Sequence, residues 1–424
     1  MKLWDKGYST NKKIDQFTVG NDRERDLALA KYDIQASSAH AKMLGKIGLL
    51  TAEETQALLR ELENIALSIK EGNFIIEDSF EDVHSKIEYI LTEKLGDTGK
   101  KIHTARSRND QVLVAMKLYL KEELSEIKHL TKELFNLLLR LADKHKEQLL
   151  PGYTHFQIAM PSSFGLWFSA YAESLVDDLH FVGAAYKIAD QNPLGSAAGY
   201  GSSFPIDRSY TTSEMGFADL KYNVIAAQMG RGKVEKAVAI GISGIADTLS
   251  KLAMDICLYM SQNFNFISFP DALTTGSSIM PHKKNPDVFE LIRAKCNSLQ
   301  AIPNQITLIT SNLPSGYHRD LQIVKGLIIP AIQEIKSCLE MMTFTLKDIN
   351  VNANILDDTK YDYLFSVDTL NHLVLNGMPY REAYKQIATE IEAGNYKPEK
   401  HLNHTHEGSL GNLCLDKIKA KMKP

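Results

Sequence analysis

Residues 100–150 read KKIHTARSRNDQVLVAMKLYLKEELSEIKHLTKELFNLLLRLADKHKEQLL and contain neither glycine nor proline. Within this run large apolar residues recur at steps of three and four, the spacing of one face of an α-helix. The pattern predicts one long helix, and about 38 residues at 1.5 Å per residue would span roughly 57 Å. Pro151-Gly152 is expected to end it. The apolar positions are Leu113, Met116, Leu120, Leu124, Ile127, Leu130, Leu134, Leu138 and Leu141.

A second apolar stripe predicts another long helix between Val234 and Met260. Gly241 and Gly244 interrupt it, and glycines at such positions allow neighbouring helices to approach closely. No segment alternates convincingly as a β-strand, so we predict an all-α fold built on about five long helices. Further helical stretches are expected after Pro161, Pro286 and Asp320.

Length and composition set limits on the kind of protein. A chain of 424 residues suggests about three domains, and 44% hydrophobic with 24% charged residues is ordinary for a soluble globular protein. The net charge of -4 indicates neither a nucleic-acid partner nor an anionic membrane. The N-terminus lacks an apolar signal core, and no apolar run approaches the ~18 residues of a membrane span. A cytoplasmic location is therefore expected.

Cysteine and histidine spacing predicts no metal site and no disulfide framework. The cysteines are far apart without a C-x-x-C pair, which favours buried thiols. Three histidines near the C-terminus would chelate a divalent metal only if their segment were helical, so solvated tail histidines are favoured. These residues are Cys257, Cys296, Cys338, Cys414, His401, His404 and His406.

One segment is typical of a catalytic loop: Gly276-Ser-Ser-Ile-Met-Pro-His-Lys-Lys-Asn-Pro286. Asn285 and Pro286 are typical of an N-cap followed by proline at the first helical position. A serine hydroxyl acting as a base here would need its alkoxide stabilised by loop amides, a helix dipole and a cation such as Lys283 or Lys284. Such a loop suits a carboxylate whose charge grows during reaction, and a plain flexible turn is the structural alternative.

Two further strings are informative beside this loop: Gly152-Tyr153-Thr154-His155 and His103-Thr-Ala-Arg-Ser-Arg-Asn-Asp-Gln111. Together the three resemble the fumarase/aspartase superfamily and, within it, the argininosuccinate lyase branch. The loop is similar to the signature of the whole superfamily, whereas the other two strings resemble the branch. The likeness runs from Lys2-Leu3-Trp4 to about residue 390.

The resemblance implies a lyase without metal or organic cofactor, which splits argininosuccinate reversibly into arginine and fumarate as the last step of arginine biosynthesis. Ser277 would be the base, and Lys283 would stabilise the aci-carboxylate intermediate. Thr154 would bind substrate. His155, delivered by a helix end, would lie in the site coupled to Glu290, whose carboxylate favours the charged imidazole of a proton donor. Which group protonates the leaving nitrogen stays open.

The resemblance also implies residues that contact substrate. Arginine guanidinium groups and side-chain amides at the start of a long helix are well suited to bind carboxylates, although an ordinary polar helix cap is the simpler interpretation. Asp82 would pair with the guanidinium of the arginine half, and Tyr317, Gln322 and Lys325 would hold its amino-acid end. The whole set is Asp82, His84, Ser107, Arg108, Asn109, Thr154, Asn285, Tyr317, Gln322 and Lys325.

For assembly the resemblance implies a homotetramer with a twenty-helix core and active sites shared between three chains. Apolar positions on more than one side of the helices favour association, with a thick monomeric bundle as the alternative. Three helical domains are expected: an N-terminal domain (1–106), a central long-helix bundle (107–355) and a small C-terminal domain (356–424).

Several positions depart from the family pattern. Gly20 stands where a substrate-binding serine is usual, and His282 replaces a glutamine. Asp5-Lys6-Gly7-Tyr8 replaces G-G-R-F, and Gly230-Arg231-Gly232 keeps the arginine of an aspartate-arginine-aspartate run without its carboxylates. These changes leave open an acylated guanidino substrate. The sequence is also compatible with a sister lyase acting on adenylosuccinate or aspartate, and with a catalytically silent, crystallin-like structural oligomer.

Overall fold

The structure is a computed structural model that describes residues 11–400 and 402–422. The departure at residues 5–8 and His401 therefore lie outside the described residues. The helices are α1 (Lys12–Val19), α2 (Asp22–Asp26), α3 (Ala30–Lys46), α4 (Ala52–Lys70), α5 (Val83–Leu95), α6 (Asp97–Lys100), α7 (Arg108–Lys144), α8 (Phe164–Ala189), α9 (Arg208–Glu214), α10 (Val224–Met229), α11 (Lys233–Met260), α12 (Asp287–Leu299), α13 (Ile302–Thr310), α14 (Lys325–Leu346), α15 (Ser366–Leu375), α16 (Tyr380–Glu392) and α17 (Leu415–Lys421).

Short strands accompany the helices without changing the fold class. They pair two by two: β1 (Leu149–Thr154) with β2 (Gln157–Ser163), β3 (Gln191–Asn192) with β4 (Asp219–Leu220), and β5 (Ile267–Ser268) with β6 (Asn350–Val351). The prediction of a mainly helical fold is confirmed. Sequence alternation predicted none of these strands, and among the described residues β1 and β2 are the two that are longer than two residues.

The chain folds as two compact units. The first comprises the described residues up to Lys128 with His180–Gly244 and Ser298–Lys336, and the second comprises His129–Leu179, Ile245–Asn297 and the described residues from Ser337. In the first unit, α3, α4 and α5 enclose a core that includes Leu44, Leu58 and Leu91. The three-domain division at 106 and 355 stays a prediction.

The long helix predicted from residues 100–150 is α7, with 37 residues, and all nine positions of its apolar stripe are buried. The expectation that Pro151-Gly152 ends it is wrong, because α7 ends at Lys144 and those two residues lie in β1. The amide of Gly165 donates to the His145 carbonyl. A Cβ at Gly165 would lie 2.6 Å from the Lys146 Cα, so the incoming α8 closes the helix end by close backbone contact.

The second apolar stripe lies on α11. From Val234 to Ile256 its members are buried, and Met260 is half-buried. A Cβ at Gly241 would lie 3.3 Å from the backbone of Val182 on α8, which confirms the expected close packing. The segment Val224–Met260 is long and apolar enough to cross a membrane, but 61% of its most apolar window is buried inside the protein, as in a core helix of a soluble protein.

Two minor expectations have mixed outcomes. Cys296 and Cys338 are buried, whereas Cys257 and Cys414 are half-buried, and none of these four residues forms a disulfide within the described part of the chain. The prediction of solvated tail histidines is wrong for His404, because its Nε2 lies 2.6 Å from Asp368 Oδ1 and the side chain is only 20% exposed. Burial against α15 therefore fixes this part of the tail.

Candidate active site

The first unit contains a polar cavity of about 240 Å³, which we call the first cavity. It collects charged residues of both signs from distant parts of the chain. Most of the substrate-binding residues expected in this unit line it, and Ser107 immediately precedes Arg108. The lining residues are Val19, Asp22, Asp26, Glu81, Asp82, His84, Arg108, Asn109, Val112, Arg231, Tyr317, Arg319, Gln322 and Lys325.

A buried lysine with two carboxylates forms one wall of the first cavity. The Lys325 ammonium lies 2.6 Å from Asp26 Oδ1 and 3.0 Å from Asp22 Oδ2, and Lys325 is 5% exposed. Burial disfavours its charge, but the two carboxylates outweigh burial and raise the pKa of Lys325. Burial also raises the pKa of Asp22. The ammonium is thus held in place before any ligand arrives.

Arg108, at the start of α7, also lines the first cavity. Its guanidinium lies 3.0 Å from Glu81 Oε2 and 3.1 Å from Asp82 Oδ2, and it donates to Ser85 Oγ at 2.7 Å. Asp82 caps α5 by accepting from the Ser85 amide. Burial opposes ionisation of Asp82, but the charges of His84 and Arg108 lower its pKa. The cavity therefore offers both a guanidinium and a carboxylate.

His84 is buried inside the protein. Its Nδ1 lies 2.9 Å from Asp33 Oδ1, and both residues are buried. Burial disfavours the imidazolium, but the Asp33 carboxylate outweighs burial, and the pKa of His84 is raised. Within the described part of the chain, His84 Nε2 has no hydrogen-bond partner. At a pH below this raised pKa, the protonated ring adds a positive charge to the first cavity.

Asp110 anchors the segment that enters α7. Its Oδ1 accepts from the Ser107 amide at 2.9 Å, and its Oδ2 accepts from the Gly195 and Ala197 amides at 3.0 and 2.8 Å. Asp110 is completely buried, and burial raises its pKa. This carboxylate fixes Ser107 and Arg108 relative to the loop that follows β3.

Sequence reasoning missed several cavity residues. Arg319 donates to Glu81 Oε1 at 2.8 Å and to the Thr18 carbonyl, which also accepts from Gln322 at 2.7 Å. The spacing of Asp22 and Asp26 could have indicated their joint role, since residues four apart share a helix face. The charged lining residues to which sequence reasoning assigned no role are Asp22, Asp26, Glu81, Arg231 and Arg319.

Two departures from the family pattern have a structural explanation. Gly20 ends α1 with φ 53° and ψ −130°, a backbone conformation open essentially to glycine alone. A serine side chain at this position would strain the backbone. At the start of α11, the Glu235 carboxylate accepts from the Gly232 amide at 2.6 Å. A carboxylate one turn into the helix thus caps this end without an aspartate at 232.

The second unit holds the Gly276–Pro286 segment as a closed loop. The Asn285 amide donates to the Thr275 carbonyl at 2.8 Å, and Asn285 Nδ2 donates to the Gly276 carbonyl at 3.3 Å. The prediction that Asn285 caps the next helix is wrong by one residue: α12 begins at Asp287, and its first turn bonds to the Pro286 carbonyl. Asn285 instead joins the two ends of the loop.

Within this loop Ser277 accepts two main-chain hydrogen bonds. The Met280 and Ile279 amides donate to its Oγ at 3.2 and 3.4 Å. The two lysines differ, because Lys284 is paired with Asp271, whereas the Lys283 ammonium has no ion pair or hydrogen bond among the described residues. Amide donors stabilise an alkoxide, and the unpaired ammonium is available to an anion.

Thr154 and His155 lie at the tip of the β1–β2 hairpin, not at a helix end as predicted. His155 has φ 55° and Phe156 has φ 58°, the left-handed conformations of a two-residue hairpin turn that normally favours asparagine and glycine. Phe156 is 79% exposed. Strained, exposed side chains are frequent at functional sites. Among the described residues of this chain, no contact joins His155 to Glu290, which is exposed on α12.

Comparisons with known proteins identify the family to which this chain is related. Residues 8–300 match the family described as lyase. The chain is 60% identical to argininosuccinate lyase of Parabacteroides distasonis over 422 residues, covering 100% of this chain and 95% of the relative. It is 41% identical to argininosuccinate lyase of Stenotrophomonas maltophilia, covering 99% and 98%.

Solved structures share the fold at low sequence identity. A variant of EDDS lyase with bound fumarate has a TM-score of 0.78 at 22% identity, covering 98% of this chain and 89% of that chain. A class II fumarase from Schistosoma mansoni has a TM-score of 0.75 at 16% identity, covering 96% and 94%. The full-length similarity to curated relatives is decisive, and the chain belongs to the argininosuccinate lyase family of the fumarase/aspartase superfamily.

Proposed function

We propose that the protein cleaves argininosuccinate into L-arginine and fumarate by a reversible β-elimination, the last step of arginine biosynthesis. The observation that carries the proposal is the 60% identity to a curated argininosuccinate lyase over the whole chain. The charge pattern of the first cavity supports it, because the proposed substrate carries carboxylates, an ammonium and a guanidinium. A cavity with Arg108, Lys325 and Asp82 offers a complement to each sign of charge.

For substrate binding, the proposed roles divide within the first cavity. Ser107, Arg108 and Asn109 hold substrate carboxylates, and Asp82 pairs with the guanidinium of the arginine half. The depressed pKa of Asp82 supports this pairing, because the carboxylate is ionised when the substrate arrives. The other proposed substrate contacts are His84, Thr154, Asn285, Tyr317, Gln322 and Lys325.

Ser277 is the proposed base. Its alkoxide removes the proton from the carbon next to a substrate carboxylate, and the electron pair spreads into that carboxylate as an aci-carboxylate. Lys283 stabilises the added charge. The carbon–nitrogen bond then breaks, the double bond of fumarate forms, and the leaving nitrogen gains a proton. The two amides that donate to Ser277 Oγ support the role, because they favour the alkoxide over the hydroxyl.

His155 and Glu290 are proposed to act as a coupled pair, with Glu290 orienting the imidazole and favouring its charged form. The strained hairpin tip supports a functional role for His155, since such backbone is retained where geometry matters. Because the two residues make no contact within one described chain, the proposal places their encounter between subunits.

We further propose a cytoplasmic homotetramer whose active sites combine segments of three chains around a twenty-helix core, and a reaction that needs no cofactor. Exposed apolar side chains on the long helices support association. Phe181 on α8 is 52% exposed, and Leu291 on α12 is 59% exposed. The exposed hairpin tip and the loop with Ser277 would then complete the first cavity of a neighbouring subunit.

The test is to add purified protein to argininosuccinate in buffer with a metal chelator and to follow the ultraviolet absorbance of fumarate. Fumarate and arginine should appear in equal amounts. Adenylosuccinate and aspartate serve as the comparison substrates. Turnover of either one without turnover of argininosuccinate would assign the protein to a sister activity, and a folded oligomer inactive on all three would support a structural role.

A further inference from the structure

A second cavity of about 300 Å³ lies in the first unit, between the start of α11 and the segment after α13. It is at the small end of the size range of ligand sites. Three cationic side chains line it, and no acidic side chain is among its described lining residues. The cations are Arg231, Lys233 and Lys236.

Arg231 is the unusual member of this set. It is only 8% exposed and lines both cavities. Its guanidinium lies over the Tyr317 ring, with Cζ 5.2 Å from the ring centroid, yet its side chain makes no hydrogen bond to any residue that the structure describes. Buried guanidinium groups are normally satisfied by several acceptors, because leaving their donors unpaired is costly. The unpaired donors point to a ligand with acceptor atoms.

The nearby carboxylates do not supply those acceptors. Glu235 directs Oε2 to the Gly232 amide at 2.6 Å, and Asp22 lies 3.0 Å from the Lys325 ammonium. Arg231 favours the ionised forms of the nearby Glu235 and Asp22, but neither carboxylate is among the residues that line the second cavity. The start of the 28-residue helix α11 adds the positive end of a helix dipole.

We propose that the second cavity is a binding site for a small dianion, a phosphate or a short dicarboxylate, held by Arg231 and Lys236. Lys233 is exposed at the rim and adds long-range attraction. Because Arg231 belongs to both cavities, an anion in the second cavity competes for its charge and weakens the binding of an anionic substrate in the first. This coupling, unlike the binding itself, rests on the proposed function.

The test is calorimetric titration of the full-length protein with inorganic phosphate and, separately, with fumarate, in phosphate-free buffer. Lys236→Gln removes one charge from the second cavity alone and should weaken phosphate binding by about tenfold, the size of one charge-assisted hydrogen bond. Lys251→Gln is the matched control, because it makes the same change on the same helix at an exposed position outside both cavities. It should leave phosphate binding unchanged.

The two probes distinguish the sources of the dianion. Phosphate binding that fumarate displaces, and that depends on Lys236, assigns one site to both anions, while phosphate binding that fumarate leaves intact assigns the site to phosphate. Fumarate binding that depends on Lys236, in the absence of phosphate binding, assigns the site to dicarboxylates. Absence of both at millimolar concentration would overturn the proposal, as would binding that survives Lys236→Gln but is lost in Arg108→Gln.

The proposed effect of an anion in the second cavity on substrate binding in the first is measured separately, by enzyme kinetics. If argininosuccinate is turned over, phosphate should raise KM with little change in kcat, and Lys236→Gln should reduce this effect. A protein without lyase activity would still show the calorimetric result, so failure of the proposed function and failure of this inference are distinguishable.

Discussion

The first cavity and the loop that contains Ser277 differ in the burial and pairing of their charged groups. In the first cavity, buried charges such as Lys325 and Asp26 are paired before ligand arrives, at distances as short as 2.6 Å. In the loop, the side chains are largely exposed, and Lys283 has no partner among the described residues. The hairpin tip with His155 resembles the loop in exposure but adds backbone strain.

If the proposed roles are correct, this difference separates the residues that recognise substrate from those that carry out the chemistry. Burying an ion pair costs desolvation energy, which only a well-defined geometry of the two partners offsets. Because both partners lie in one compact unit, the proposed binding residues are part of the stable fold. Residues that handle protons need access to the substrate and a low-dielectric environment only during reaction. On this account, substitutions in the first cavity affect stability and binding together, whereas substitutions in the loop affect turnover alone.

The largest expected effect is on turnover by Ser277→Ala. Loss of a general base typically costs about 10²–10⁴-fold in rate, and helicity should be intact because the side chain lies in a loop. The measurement is fumarate release together with far-ultraviolet circular dichroism. Ser278→Ala changes the adjacent exposed serine and should retain activity. Equal losses in both variants would contradict the assignment of the base.

Lys325→Met should lower stability far more than Lys283→Met. Removing the buried ammonium leaves Asp22 and Asp26 uncompensated, which costs about 3–5 kcal/mol for a buried pair. Lys283→Met removes an exposed, unpaired charge and should leave the free energy of unfolding nearly unchanged while lowering turnover. Urea unfolding of both variants measures this contrast. Equal free energies of unfolding would contradict the distinction between the two regions.

Arg108→Gln should reduce kcat/KM by roughly 10–100-fold, because hydrogen bonds to charged groups contribute about 1.5–3 kcal/mol. Arg140→Gln provides the control, since Arg140 is exposed on the same helix. Steady-state kinetics of argininosuccinate cleavage give both values. Unchanged kcat/KM in the Arg108 variant would show that Arg108 does not bind a substrate carboxylate.

A smaller effect is expected in the pH dependence of stability. The pKa of His84 is raised above 6.5 because Asp33 outweighs burial, so the folded protein holds this proton more tightly than the unfolded chain does. The stabilisation is complete below pH 6.5 and is lost as the pH rises through the raised pKa. Urea unfolding across this range should show the loss in the wild-type protein but not in His84→Asn.

Exposed His129 on α7 supplies the control for this experiment, because its side chain is 62% exposed. His129→Asn should keep the wild-type pH dependence. A His84→Asn profile that parallels the wild type would show that another group carries the titration.

Periodicity was sufficient to predict α7 and α11, because each presents an uninterrupted apolar face that must be buried. It could not predict the end of α7 at Lys144, since the cause is the backbone of Gly165 arriving from the next helix. The position of His155 at a hairpin tip was also beyond periodicity, because a turn of histidine and phenylalanine lacks the usual glycine or asparagine.

The candidate site was predictable only in part. Motif resemblance led to Arg108, Lys325 and their neighbours in the first cavity. It assigned no role to Glu81 or Asp110, whose importance lies in contacts between segments far apart in sequence. Glu81 reaches Arg319 across 238 positions, and Asp110 reaches Ala197 across 87. Single polar residues carry no periodic pattern that would reveal such contacts.

The most direct test of the proposal that recognition and chemistry reside in separate regions that meet between subunits is complementation of two impaired variants. Ser277→Ala and Arg108→Gln are purified separately, dissociated, mixed and reassembled, and argininosuccinate cleavage is measured. We expect activity well above that of either variant reassembled alone, because some mixed sites combine an intact loop with an intact first cavity. Mixed oligomers that form but are no more active than the separately reassembled variants would contradict the account.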